Sequence, residues 1–182
     1  MATWGENEHV APEKGSLPWV DEHAAEIDAT PAAVWPALLR TVERMTAGRA
    51  APRYARAVGC VDTEAGGPRP LEVGSTVPGF RVAALTSERL LALRGSHRFS
   101  DYELVFRLEP LGGVRTRLVA ETRAVFPGLK GRAYRALVIG TRMHVLVVRR
   151  VQHGVARRAE RARRADGAGS GPARRGAPGP SA

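Results

Sequence analysis

The order of hydrophobic patterns predicts an α+β fold in which a curved antiparallel β-sheet is wrapped around a long C-terminal helix. Three observations carry this prediction. A Thr-Pro helix start with an apolar helical face lies early in the chain. Consecutive segments of period-two alternation occupy the middle, and apolar residues at spacings of three and four are sustained near the end. At 182 residues, 43% hydrophobic and 25% charged, the chain can build one core with tails.

The residues His23 to Asp28 are compatible with a short edge strand. Thr30 then reads as an N-cap, with Pro31 at the first helical position, where its missing N–H costs nothing. Trp35, Leu38, Leu39, Val42 and Met45 form one apolar helical face, and Pro36 is expected to kink the first turn or displace the start. From Arg49 to Gly79 the pattern is poor. Gly66-Gly67-Pro68 and Pro70 mark a turn, and Leu71 to Ser75 are expected to begin a strand.

Alternation then sharpens. Phe80, Val82 and Ala84 oppose Arg81 and Ala83, and Arg89 to Arg94 form a short apolar segment. Tyr102, Leu104, Phe106 and Leu108 share a face, as do Leu118, Ala120, Thr122, Ala124 and Phe126, with Arg and Glu residues opposite. The turn at Pro110-Leu111-Gly112-Gly113 joins two of these segments, so the pattern predicts a meander with one buried and one wet face. After Pro127-Gly128, Ala133, Leu137, Gly140, His144, Val148, Val151 and Val155 fall on one stripe. This predicts a single helix to about Arg164 that lies across the sheet.

Residues 1–20 read as a flexible leader, 21–162 as the folded domain, and 163–182 as a disordered basic tail rich in Gly, Pro and Ala. From Arg149 to the end there are nine basic and two acidic residues, so +7 of the formal +10 net charge sits in that stretch. Lone Cys60 excludes an intrachain disulfide, and no metal-ligand spacing or phosphate loop is present, so no metal or cofactor is expected. No run is long and apolar enough to cross a membrane, and no secretory signal is visible, so the expected compartment is the cytoplasm.

The stretch Ile27-Asp28-Ala29-Thr30-Pro31-Ala32-Ala33-Val34-Trp35, followed by Leu38, resembles the opening of the START-like (SRPBCC) superfamily of polyketide cyclases, dehydratases and lipid carriers. Residues 95–106 (GSHRFSDYELVF) and 117–141 are similar to an actinobacterial branch of it, and the likeness spans about residues 23–161. Pro36 departs from the pattern. The resemblance implies a helix-grip fold and a hydrophobic small-molecule ligand, and it supplies no catalytic motif.

A cavity between sheet and C-terminal helix is therefore expected, with His144, Tyr102, Phe106, Leu118, Thr122, Leu137, Gly140, Phe80 and Trp35 as candidate ligand-binding residues. His144 is a polar group on the stripe facing the sheet, suited to a hydrogen bond or proton transfer; the alternative is a core histidine. Tyr102 and Thr122 are polar groups on inner faces, which more commonly satisfy a buried neighbour. His97, Arg98 and Asp101 near a strand end read as surface, and Arg115, Arg117 and Arg123 as cross-strand partners of Glu103 or Glu109. The leading function is binding of a hydrophobic molecule such as a lipid or polyketide. One alternative is a cyclase or dehydratase acting through His144 and Tyr102. The other is nucleic-acid or acidic-surface binding by the basic tail, which its lack of aromatics and DNA-binding motifs argues against.

Overall fold

The structure, a computed structural model, describes residues 17–138 and 143–169. The elements follow in the order β1 (Trp19–Ile27), α1 (Pro31–Thr46), α2 (Ala50–Val58), β2 (Thr76–Val77), β3 (Phe80–Thr86), β4 (Leu90–His97), β5 (Ser100–Pro110), β6 (Thr116–Val125), α3 (Gly128–Val138) and α4 (Met143–Gly169). All six strands join one antiparallel sheet in the order β1-β6-β5-β4-β3-β2. Its inner face is covered by α1 and α4, which pack on each other. The expected α+β layout is therefore present.

Thr30 caps α1 by accepting from the Ala33 amide at 3.4 Å, with Pro31 at the start of the helix. The helix runs through Pro36, although that residue removes one backbone donor. Its inward side chains Val34, Trp35, Leu38 and Val42 share one buried core cluster with Phe106, Leu118, Leu91 and Val82 of the sheet. Full burial of each large side chain contributes about 1.5–3 kcal/mol. Met45, at the end of the predicted face, is 41% exposed because the last turn of α1 extends past the core.

Several expectations need correction. β1 begins at Trp19, inside the segment read as leader. Leu71 to Ser75 form a turn rather than a strand, because the Ser75 hydroxyl accepts from the Glu72 amide and donates to the Pro68 carbonyl. Gly74 takes φ +88° there, and pairing starts only at Thr76. In β3 the alternation shifts. Val82 pairs with Leu93 but Ala84 with Ala92, so Ala83 is an extra residue. Beyond it Leu85 packs on the core and Ala84 is exposed.

The expected long C-terminal helix is present as α3 and α4, with residues 139–142 between them outside the described residues. On α4, Val148, Val151 and Val155 are buried as expected, and Ala159 extends the contact by another turn. Gln152 is also buried there and donates to the carbonyls of His23 (2.8 Å) and Leu118 (3.2 Å), fastening the helix to β1 and β6. Residues 163–169, expected in the tail, continue the helix. Alanine and arginine favour helix strongly enough to carry it past the last core contact.

The outer sheet face is charged and paired. Arg117 meets Glu109 at 4.0 Å, as its cross-strand position predicts, while Arg115 reaches Glu26 at 3.5 Å. Arg123 turns to Glu121 on its own strand at 2.5 Å, and Arg107 bridges Glu121 (2.5 Å) and Glu22 (2.9 Å).

Candidate functional site

At one end of the sheet the covering layer stands away from the strands and leaves a cavity of about 310 Å³. Its walls come from α2 (Ala51, Tyr54, Ala55), the β2–β3 turn, the adjoining ends of β4, β5 and β6, Tyr134 of α3 and the first turns of α4.

The β4–β5 hairpin builds one wall. Arg98 and Phe99 form its two-residue tip, between the paired His97 and Ser100. The Phe99 amide donates to His97 Nδ1 at 3.2 Å, so the neutral ring carries its proton on Nε2. Burial, partly offset by a backbone hydrogen bond and the charge of Asp101, pushes the His97 pKa below its ordinary value. Tyr134 lies edge-on to this imidazole with centroids 4.9 Å apart, and stacks on Phe99 at 5.3 Å. Gly131, where a Cβ would stand 2.7 Å from the Phe126 backbone, allows α3 to come this near.

Tyr102 stands opposite Gly95 in the register. A Cβ at Gly95 would lie 2.5 Å from the Tyr102 ring and 2.2 Å from the Gly79 carbonyl oxygen, so the glycine is what lets the phenol lie flat. Tyr102 Oη donates to Gly79 O at 2.6 Å and lies 3.7 Å from Cys60 Sγ. Phe80 meets the same ring edge-on at 5.1 Å. Gly79 follows Pro78 with φ +88°, the conformation a type II turn demands after proline. Burial raises the pKa values of both Tyr102 and the Cys60 thiol, so both stay protonated at neutral pH.

At the rim, Tyr54 Oη and Tyr134 Oη share a hydrogen bond of 2.8 Å, linking α2 to α3. Tyr54 is 57% exposed, which marks the opening. Inside, Thr122 Oγ1 is shielded from solvent and has no hydrogen-bond partner. Glu103 contributes to the wall, but its carboxylate pairs with Arg94 at 3.5 Å. The cavity is thus largely aromatic and apolar, with no unpaired charge and one unsatisfied hydroxyl among its described residues.

Of the residues picked from the sequence, Tyr102, Thr122 and Phe80 come together here. Trp35, Phe106 and Leu118 are instead packed core, because the sheet beneath the middle of α4 is filled by α1. Leu137 is 64% exposed and is not part of the wall. On α3 it is Gly131 and Tyr134 that turn inward, Gly131 buried and Tyr134 half-buried in the wall. Gly140 lies outside the described residues, as does the side chain of His144. Arg98 lies over Gly59, the C-cap of α2, where its charge suits the helix dipole.

Missed from the sequence were Tyr54, Ala51, Ala55, Cys60 and Tyr134 as wall residues, and His97, read as surface. Ala51, Tyr54, Ala55 and Val58 recur at helical spacing before Gly59, a signal for α2 that was available.

No family model and no curated protein sequence matches the chain. Among solved structures, a point mutant of norcoclaurine synthase from Thalictrum flavum, in complex with a transition-state analogue, aligns with a TM-score of 0.51. The alignment covers 82% of this chain and 98% of that one at 10% identity. The fold is the helix-grip, START-like fold. The Zhui aromatase/cyclase from Streptomyces sp. R1128 also aligns, at TM-score 0.49 and 20% identity, over 81% of this chain and 96% of that one. No helix among the described residues is long and apolar enough to cross a membrane.

Proposed function

We propose that the protein binds a neutral, flat, largely apolar molecule with one hydrogen-bonding group. The observation that carries this reading is an aromatic cavity without an unpaired charge, with Thr122 Oγ1 unpartnered in its wall. The volume falls at the small end of known ligand sites, roughly 300–1,000 Å³. Aromatic walls favour a planar ligand through stacked and edge-on contacts, and a lone buried hydroxyl gains from a ligand group that completes its hydrogen bond. Native mass spectrometry of the protein purified from its own host should show a bound apolar molecule, absent from the Ala51→Trp variant, whose indole fills the cavity. A native protein that is consistently ligand-free and gains no adduct with small neutral arenes would refute the reading.

A second reading, catalysis in the same cavity, is favoured by one observation. The wall contains a neutral imidazole, His97, the side chain suited to moving protons near neutral pH. Tyr102, by contrast, has its proton committed to Gly79 O. Conversion of a bound ligand by the native protein, lost in His97→Gln while binding persists, would establish that reading over pure binding.

A further inference from the structure

Arginines on the sheet and arginines on the helices are compensated differently. On the outer sheet face Arg81, Arg94, Arg107, Arg115, Arg117 and Arg123 each meet a carboxylate within 4.0 Å. Where α1 packs on α4 no such pairing is present among the described residues. The two helices approach closely at Gly154, where a Cβ would stand 3.2 Å from Thr41 Cγ2. Arg158 Nη1 donates there to Thr41 Oγ1 (3.4 Å) and to Gly154 O (3.0 Å). Arg40 and Arg44 flank Thr41 on one helix, and Arg157 and Arg161 flank Arg158 on the other; these four are exposed.

Carboxylates on the packed stretch are Glu43 and Glu160, and Glu43 is held by Arg69 at 3.5 Å. Burial and the repulsion of Arg44, Arg157, Arg40 and Arg161 lower the pKa of Arg158, as an uncompensated positive field requires. Along α4 the exposed Arg150, Arg157, Arg161 and Arg164 share one face, with a rise of about 21 Å from first to last.

We infer that this α1–α4 face binds the phosphodiester backbone of double-stranded nucleic acid without reading its sequence. Guanidinium forks match phosphate oxygens bidentately, and a straight row of them suits a linear polymer of regularly spaced charges. Among the described residues the face carries no exposed Phe, Tyr or Trp ring for base stacking, and the exposed His153 is tied by Nδ1 to the Arg149 carbonyl at 2.7 Å, which favours a duplex over single strands. Leu146 and Val147 are exposed in the turn before the row, but from Val148 to Arg164 no large apolar side chain is, so the stretch that carries the arginines has no apolar wedge along it to insert into a bilayer. The inference is independent of the cavity.

The test is fluorescence anisotropy of a labelled 20-base-pair duplex of arbitrary sequence with the full chain, across 50–300 mM salt. Binding should weaken with salt. The combined Arg40→Gln, Arg44→Gln, Arg157→Gln and Arg161→Gln variant should bind at least tenfold more weakly, with a log–log salt slope shallower by about 3–4. Its thermal midpoint should equal or exceed the native one, since repulsion is removed. Should that variant misfold, Arg150→Gln with Arg164→Gln should still reduce the slope by about 2. Absence of binding at 50 mM salt, or a native slope in the variant, overturns the inference. So does binding abolished by Arg174→Gln with Arg175→Gln alone, which would place the contact on the tail. Tighter binding to anionic vesicles or to polyglutamate than to the duplex overturns the choice of partner.

Discussion

Gly95 has no side chain to spare room for, because the Gly79 carbonyl and the Tyr102 ring occupy the place where a Cβ would stand. Gly95→Ala should destabilise the fold by about 1–3 kcal/mol, read as a lower urea midpoint, since both neighbours are held by the Tyr102–Gly79 hydrogen bond. Thr122 is the opposite case. Its Oγ1 is buried without a partner, so Thr122→Val should leave stability unchanged or raise it by up to about 1 kcal/mol while weakening ligand binding several-fold. Equal losses of stability and affinity would contradict the role given to that hydroxyl. His97 adds a pH signature. Its folded pKa lies below the ordinary 6.5, so the unfolded chain binds the extra proton first. The stabilisation is complete above about pH 6.5 and is lost as pH falls through the folded value. His97→Gln should remove that part of the pH dependence, as measured by denaturation at a series of pH values.

Among the elements, those with an unbroken local pattern were legible. Thr30-Pro31 opened α1 where expected, and β5 and β6 kept an unbroken register because each residue pairs without a bulge, although Val119 and Glu121 on the outer face are buried as well. β3 was misread past Val82, since one extra residue inverts every later side chain and leaves no mark in the composition. The stripe from Ala133 to Val155 holds at Val148, Val151 and Val155, but toward its start the buried and half-buried residues are Gly131 and Tyr134. Tyr134 faces the aromatic cluster, and Leu137 is exposed. Gln152 shows what periodicity undervalues: a polar residue, 4% exposed, that links a helix to two strand carbonyls. Gln152→Ala should cost about 1–2 kcal/mol, measured by chemical denaturation, and loosen the β1 amides in hydrogen exchange.

For the whole molecule, the site was harder to read than the fold because it is made where elements meet rather than within one. Phe80, Tyr102 and Thr122 were visible as inner-face residues, but Tyr54, Cys60 and Tyr134 reach the cavity from segments whose position depends on tertiary packing. Charge acts at this scale as well. Burial alone would raise the Glu121 pKa, yet its bonds to Arg107 and Arg123 outweigh that and hold it below the ordinary value. The unfolded chain therefore takes up this proton first on acidification. The stabilisation is full above about pH 4.5 and is lost as pH falls through the folded value. Glu121→Gln should flatten that acid limb while lowering stability at neutral pH, both followed by thermal melts.

The sheet also ends differently on its two sides. β2 is two residues long, and β1 is a full-length border with Asp21, Glu22 and Glu26 along it. A short margin gives an incoming strand too few amides to grip, and a second β1 laid alongside the first would set carboxylate near carboxylate. Strand addition is therefore disfavoured at both margins of the described sheet, by a strand too short to template pairing at one and by a row of acidic residues at the other.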